Sequence, residues 1–369
     1  MAPKKKRKSA PPETVSTTVH DLPDNLLQHV LSFLPAQESV RTCVLARRWR
    51  HLWKSTTGLR ILDLVLDDDE DISFQDLRKF VEHLLMLRER TDLESVEMKF
   101  HCYYEGESYV SLWTRFALIC KVRVLTLHIL GEEYFTLDGL PLVSRHLKTL
   151  HLHGLILQKS FLDFASCPAL ENLKMGVCKI NGCKISSLSL KHLSITSCGC
   201  DLDCRLNVST PGLVSLKLDR FSERMWNCLS KNDGRIDCVL MGGISSAKHL
   251  ALISYFGKFI FARDLMNCCP TFSKLKTLSL SVYWWEAPDL DPLACILQNS
   301  PVLEKLSLKL FSKGPDHEVE MKGRYSPMEG PSAISEHLNM VEIKCNVVDE
   351  KILKVLKLLS TFNIRFGFL

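Results

Sequence analysis

The chain has 369 residues, 46% of them apolar, which is enough for two domains, or for one domain and an elongated array, with a real core. Its formal net charge of +5 is accounted for by five consecutive basic residues near the N-terminus, so the remaining 364 residues sum to zero, which excludes a long basic groove tracking phosphates. The longest apolar run, near Leu250 to Ala262, is interrupted by Gly257 and Lys258 and falls short of the roughly 20 residues a membrane span requires.

The basic residues come first. Lys4, Lys5, Lys6, Arg7 and Lys8 follow Pro3 with no acid nearby, and Ser9 to Thr18 has no apolar stretch of the kind a secretory signal needs. The cluster Pro3 to Lys8 resembles a monopartite nuclear-import signal, which implies an importin-type carrier and a nuclear location, with the cytoplasm also open. A solvated tail and a phosphate tether are the alternatives.

Three short amphipathic helices are expected in Leu22 to Trp53. Asp21 and Pro23 form a helix start signal, and Leu22, Leu26, Leu27, Val30, Leu31 and Leu34 recur along one helical face until Pro35 stops it. Val40, Cys43, Val44 and Leu45 mark a second helix, and Trp49, Leu52 and Trp53 a third, with Arg47, Arg48 and Arg50 between. A core this small is insufficient alone, so its apolar excess needs a second surface. These residues, in this order, resemble the F-box of plants, from Leu22-Pro23 through Leu31-Ser32-Phe33-Leu34-Pro35 to Arg48-Trp49-Arg50 and Leu52-Trp53. The resemblance implies docking onto the Skp-type adaptor of a cullin-based ubiquitin ligase through Leu22, Pro23, Leu26, Leu27, Val30, Leu31, Leu34, Pro35, Val44, Leu45, Trp49 and Trp53.

Asp67 to Asp71 is an acidic run without the spaced ligands or glycine of a calcium loop, and reads as a solvated turn. From residue 59 onward a six-residue phrase, apolar-x-x-apolar-x-apolar, recurs eleven times. It begins at Leu59, Leu93, Val122, Leu147, Leu170, Leu190, Leu213, Ala247, Leu275, Leu303 and Leu338, at intervals of 34, 29, 25, 23, 20, 23, 34, 28, 28 and 35 residues. Leu147-Lys148-Thr149-Leu150-His151-Leu152 is close to Leu275-Lys276-Thr277-Leu278-Ser279-Leu280, and Pro168, Pro211 and Pro301 each stand two residues before a phrase. The pattern is that of leucine-rich repeats, which imply one short strand per unit on a shared parallel sheet. Cys178 and Cys198 then fall on small core positions. Fifteen cysteines in a chain of this kind read as intracellular thiols, and no CxxC pair offers a zinc site.

The wide intervals mark insertions: Glu223 to Ser246 and Ser312 to Ser335 are expected to be loops. Pro270 to Leu359 resembles the FBD region that follows the repeats in many plant F-box proteins. The ending Ser360 to Leu369 departs from that region's usual further helix and final strand, so a poorly capped, less ordered end is expected.

No GxxxxGK[ST], HExxH, GxSxG or GxGxxG motif is present, so neither catalytic residues nor a cofactor is assigned. The outward positions of the phrases form a polar recognition surface, with His128, His151, His153, Lys174, Ser194, Thr196, Lys217 and Asp219 as its candidate residues. Register places His128 beside His153, about 4.8 Å away on the next strand. No carboxylate or cysteine falls at the neighbouring outward positions to complete a metal site.

The expected architecture is α/β: a disordered basic arm (1–18), a three-helix F-box (19–58), leucine-rich repeats with a parallel sheet on the concave face (59–269), and further repeats with the FBD-like region (270–369). The resemblance implies a non-catalytic substrate receptor of an SCF-type ubiquitin ligase, with a Skp-type adaptor, cullin and an unknown protein target as partners and no role for a membrane; the composition argues against nucleic acid. A nuclear repeat scaffold that recruits no ligase is the alternative.

Overall fold

The computed structural model describes residues 22–62, 74–101, 107–130, 134–137, 142–182, 184–200, 207–219, 245–254, 269–283, 290–311, 319–325 and 335–367. The basic arm, the acidic run at 67–71, nearly all of the 223–246 insertion, and Asp201, Asp203 and Cys204 lie outside these residues.

Pro23, in an extended conformation, opens helix α1 (Asp24–Leu31), and its Leu27 and Leu31, one turn apart, are buried. Pro35, extended again, ends that segment and opens α2 (Ala36–Arg41). The second helix expected from the sequence ends in a 3-10 turn at Thr42–Val44, and the third is instead two short 3-10 turns, at Arg47–Arg50 and Leu52–Ser55. Ala46 is extended (φ −162°, ψ 162°), so the amide of Leu45 bonds back to Thr42 while that of Trp49 bonds to Ala46 itself, and helical pairing cannot run through. Arg48 closes the module on itself, donating from Nε to Asp24 Oδ1 at 2.7 Å and from Nη2 to the Leu22 carbonyl at 2.5 Å.

The repeat array follows. Its strands, in chain order, are β1 (Gly58–Leu62), β2 (Ser95–His101), β3 (Val124–Leu130), β4 (Phe135–Thr136), β5 (Thr149–His153), β6 (Leu155–Gln158), β7 (Asn172–Gly176), β8 (Lys179–Asn181), β9 (Lys184–Ser186) and β10 (His192–Thr196). They continue with β11 (Gly199–Cys200), β12 (Asn207–Ser209), β13 (Ser215–Asp219), β14 (His249–Ser254), β15 (Thr277–Tyr283), β16 (Lys305–Phe311), β17 (Val319–Tyr325), β18 (Met340–Cys345) and β19 (Ile364–Gly367). The main sheet has 13 strands in the order β1-β2-β3-β5-β7-β10-β13-β14-β15-β16-β18-β17-β19, and all pairs up to β18 are parallel. Each of the eleven phrases supplies one parallel strand. Ten of them align, with the second apolar residue in one buried row from Val96 through Leu125, Leu150 and Leu173 to Val341. The first phrase is displaced: Leu59 pairs with Val96 and therefore fills the second position of the unit. The first position of that unit falls on Thr56, which is buried and accepts from Arg88.

Entry into five of the strands is set by a tight turn that starts three residues ahead of the phrase. The amides of Leu170, Leu213, Leu275, Leu303 and Leu338 donate to the carbonyls of Cys167, Thr210, Phe272, Ser300 and Ser335 at 3.0 to 3.3 Å. Pro168, Pro211 and Pro301 occupy the second position of such turns, where a fixed φ near −65° is already the required one. Buried residues fill the first position, small ones except for Phe272, and the hydroxyls of Ser144 and Ser187 accept from the Leu147 and Leu190 amides.

Exit from the strands differs with unit length. After β5, β7 and β10 the next residue is left-handed, at Gly154 (φ 75°), Val177 (φ 47°) and Ser197 (φ 53°), and the following Leu155, Cys178 and Cys198 are buried. These corners serve the shortest units and feed a second, parallel sheet of order β11-β8-β6-β4; β9 pairs with β12 in a third. Longer units return through helices: α3 (Phe74–Leu87), α4 (Glu107–Ile119) and α5 (Asp291–Gln298). The expected small core cysteines are there, with the Cys178 amide 3.4 Å from Cys198 Sγ. Cys269 and Cys295, by contrast, form a disulfide where α5 packs over the chain entering β15, so free thiols throughout is not what the structure has.

Two expectations at the C-terminus are corrected. The segment 312–335, read as a loop, contains strand β17, whose Val319, Met321 and Gly323 pair antiparallel with Cys345, Ile343 and Val341 of β18. The ending after Leu359, read as lacking a final strand, has one: β19 pairs antiparallel with β17, following α6 (Glu350–Thr361), which lies almost wholly within the FBD-like region and is capped by Asp349, whose carboxylate accepts from the Lys351 and Ile352 amides. Alternating residues Val319, Met321 and Gly323 suffice for a strand, and the apolar Ile352, Val355 and Leu359 cover the last unit.

A single apolar core runs from Leu27, Leu31, Trp49, Leu52 and Trp53 through the repeat leucines to Ile352, Val355 and Ile364. The second surface that the helical module needs is therefore the first unit of its own solenoid. Arg88, at the end of α3, cements the contact by donating to Thr56 Oγ1 at 2.8 Å, to the Thr56 carbonyl and to the Trp53 carbonyl, and burial lowers its pKa to about 10.

Candidate functional site

Two surfaces emerge, one on the helical module and one on the main sheet. On the helical module, the twelve residues that the resemblance assigns to docking divide by burial. Leu27, Leu31, Trp49 and Trp53 point into the shared core, and Leu22 and Leu34 pack partly against it. Leu26 (47% exposed), Val30 (52%), Val44 (82%) and Leu45 (65%) face solvent, as does Pro23, while Pro35 is half-buried. Phe33, 61% exposed with its ring edge-on to His29, belongs with the exposed group; its place in the Leu31 to Pro35 run was the signal, and its off-face position hid it. Beside Val44 lies a cleft of about 720 Å³, lined by Val40, Ala46 and Leu87 and rimmed by Arg47, Arg50 and Lys54. Large apolar side chains exposed in a cluster on a small module mark a protein-docking face.

On the main sheet, the candidate recognition residues form two rows two residues apart along the strands. One row runs His151, Lys174, Ser194 and Lys217; the other runs His128, His153, Gly176, Thr196 and Asp219. His128 and His153 sit side by side with ring centroids 3.9 Å apart. Asp219 is buried, with its carboxylate 3.8 Å from Lys217 Nζ. Reading outward positions from the third phrase onward missed strands β1 and β2, which extend the rows with Arg60 and Glu97, joined at 2.7 Å, and with Lys99.

The three histidines share a direction. Burial lowers the pKa of His128, with His153 and Lys99 adding to the effect; burial and Lys174 lower that of His151. Burial also lowers that of His153, against a hydrogen bond to the Ile129 backbone carbonyl that raises it, with Lys99 lowering it further. Among the described residues, no group of three or more His, Cys, Asp or Glu side chains is placed to hold a metal ion, and no helix is long and apolar enough to cross a membrane.

A helical docking module fused through one core to a curved array of leucine-rich units defines the class: a two-ended protein with an apolar face at its start and a polar sheet face along its body. Residues 19–59 match the F-box domain family. The chain is 27% identical over 348 residues to an F-box/FBD/LRR-repeat protein of Arabidopsis thaliana, covering 78% of this chain and 76% of that relative. It is 24% identical over 390 residues to an FBD-associated F-box protein of the same plant, covering 90% and 84%, and 25% identical over 401 residues to a second F-box/FBD/LRR-repeat protein, covering 88% and 82%. The chain thus carries an F-box domain and has F-box/FBD/LRR-repeat homologues along most of its length.

Proposed function

We propose that the protein is the substrate-receptor subunit of an SCF-type ubiquitin ligase. Its F-box docks a Skp-type adaptor, and through it a cullin, while the repeat face holds a target protein. The observation that carries this reading is the division within the F-box. One side is consumed by the solenoid, and the other leaves Leu26, Val30, Phe33, Val44 and Leu45 in solvent on a domain whose relatives are F-box proteins. F-box domains generally bind Skp-type adaptors, and proteins of this kind are generally non-catalytic; the receptor acts by raising the target's effective concentration near the loaded conjugating enzyme. Co-expression with a plant Skp-type adaptor followed by affinity capture tests it. A stable complex at one-to-one stoichiometry is expected, and failure of the unaltered chain to capture the adaptor sinks the ligase reading and leaves the scaffold.

The basic cluster Pro3 to Lys8 is proposed to deliver the receptor to the nucleus through an importin-type carrier. Deleting these six residues is expected to shift a fluorescent fusion to the cytoplasm without changing adaptor capture. Nuclear accumulation that survives the deletion overturns this part.

A further inference from the structure

Positive charge occurs along the whole sheet face, but acids accompany it in the C-terminal half: Lys217 lies near Asp219, Lys305 is paired with Glu342, and Lys344, beside Lys309, stands opposite Glu320 of β17. At the N-terminal half, strands β2, β3, β5 and β7 bring together Lys99, His128, His151, His153 and Lys174. The one acid that faces them from these strands, Glu97, is engaged by Arg60. Gly176 leaves a notch beside this group, and a Cβ built there would stand 3.1 Å from the His153 ring, so His153 leans across the glycine with His128 stacked behind it.

We propose that this patch is the subsite for an acidic stretch of the target polypeptide, with glutamate or aspartate side chains laid across β2 to β7. The proposal rests on the receptor reading above and specifies what the receptor takes. Three interstrand gaps of about 4.8 Å give a patch about 14 Å wide, which four or five residues of extended peptide span. Outside the terminal arm the chain is electrically neutral, so no wider field exists to gather a nucleic-acid backbone, whereas a short local excess of cations suits a short acidic segment. The facing groups are Glu97 and Lys99 from β2, Thr126 and His128 from β3, His151 and His153 from β5, and Lys174 from β7. Burial and the neighbouring lysines keep the imidazoles neutral near pH 7, and each carboxylate that docks reverses this by favouring their protonated form. Binding therefore takes up protons and strengthens as pH falls through the imidazole range.

The test is fluorescence anisotropy of the full chain with a labelled peptide carrying about five consecutive glutamates, a length matched to the patch. Its glutamine counterpart and an oligonucleotide of equal charge are run beside it. The glutamate peptide is expected to bind about tenfold or more tighter than the glutamine peptide, and several-fold tighter at about pH 5.5 than at about pH 7.5. Lys99→Glu with Lys174→Glu, both exposed, should weaken it by about tenfold, while Lys309→Glu at the far end of the sheet leaves it unchanged. His128→Gln with His153→Gln should flatten the pH dependence and retain a salt-dependent remainder. No binding of the glutamate peptide, equal binding of the two peptides, equal effects of the near and far lysine changes, or tighter binding of the oligonucleotide each overturns the proposal. Adaptor capture on the same preparations separates the two readings: lost capture with retained peptide binding defeats the ligase role, and the converse defeats the subsite.

Discussion

Replacing Val44 and Leu45 together by glutamate is expected to cut adaptor affinity by about a hundredfold or more while leaving the unfolding midpoint nearly unchanged. Both side chains are mostly exposed, so charge placed there meets water in the free protein. In a docked complex the same positions would be covered. Losing two apolar anchors forfeits about 1.5 to 3 kcal/mol each, and burying unpaired carboxylates adds to it. Leu31→Asp makes the contrast, because Leu31 is 2% exposed. It buries a charge in the shared core and should unfold the F-box, so capture is lost together with the thermal transition. Calorimetric titration with adaptor, alongside a melting curve, separates the cases. Capture by Val44→Glu/Leu45→Glu at the parent affinity would move the docking face elsewhere.

Gly154→Ala is expected to destabilise the array by about 2 to 4 kcal/mol, well beyond an ordinary glycine replacement. Its corner is left-handed, but so are those at Val177 and Ser197, so a positive φ alone is tolerated in this architecture. What distinguishes Gly154 is the preceding coil. A Cβ there would fall on the Ile129 carbonyl oxygen, and backbone has to move to admit it. Ser197→Ala, at an equivalent corner, should cost far less, and Val177→Gly should stabilise by about 1 kcal/mol by relieving a branched residue at φ 47°. Urea unfolding of the three variants checks the order. Equal effects at Gly154 and Ser197 would remove the contact with Ile129 from the explanation. Since Gly154 follows His153 directly, the same change should weaken peptide binding at the imidazole pair without touching adaptor capture.

Most of the array was legible because a leucine-rich unit writes its register into its spacing. Each of the eleven phrases became a strand, and His128 came to lie against His153 because their units share that spacing. What escaped was whatever the spacing does not encode. The third F-box helix dissolves into 3-10 turns because Ala46 adopts an extended backbone, a choice its helix-favouring side chain does not announce. Strand β17 and the closing β19 were missed since they pair antiparallel, outside the repeat. The prolines ahead of Leu170, Leu213 and Leu303 were noticed, but their role as the second residue of a tight turn needed the backbone bonds. At the F-box, amphipathicity marked the apolar residues and could not say which face the solenoid would take. Of the two lysines of the recognition patch, Lys174 was legible and Lys99 was not, because it lies on the second strand, ahead of the third phrase from which the outward positions were taken.

The shared core between the F-box and the first repeat has a consequence for reach. Because Leu27, Leu31, Trp49 and Trp53 are continuous with the repeat leucines and Arg88 ties α3 to Thr56, the docking end has no hinge on which to swing. The lysine and histidine strands β2 to β7 lie one to four interstrand steps from β1, within about 19 Å, whereas β18 is ten steps away, about 48 Å. On the receptor reading proposed above, a cargo held at the near strands rides on a short lever. Flexing of the distant units would displace it little, and the lysines it presents for modification would be confined to a narrow arc fixed by the first few coils.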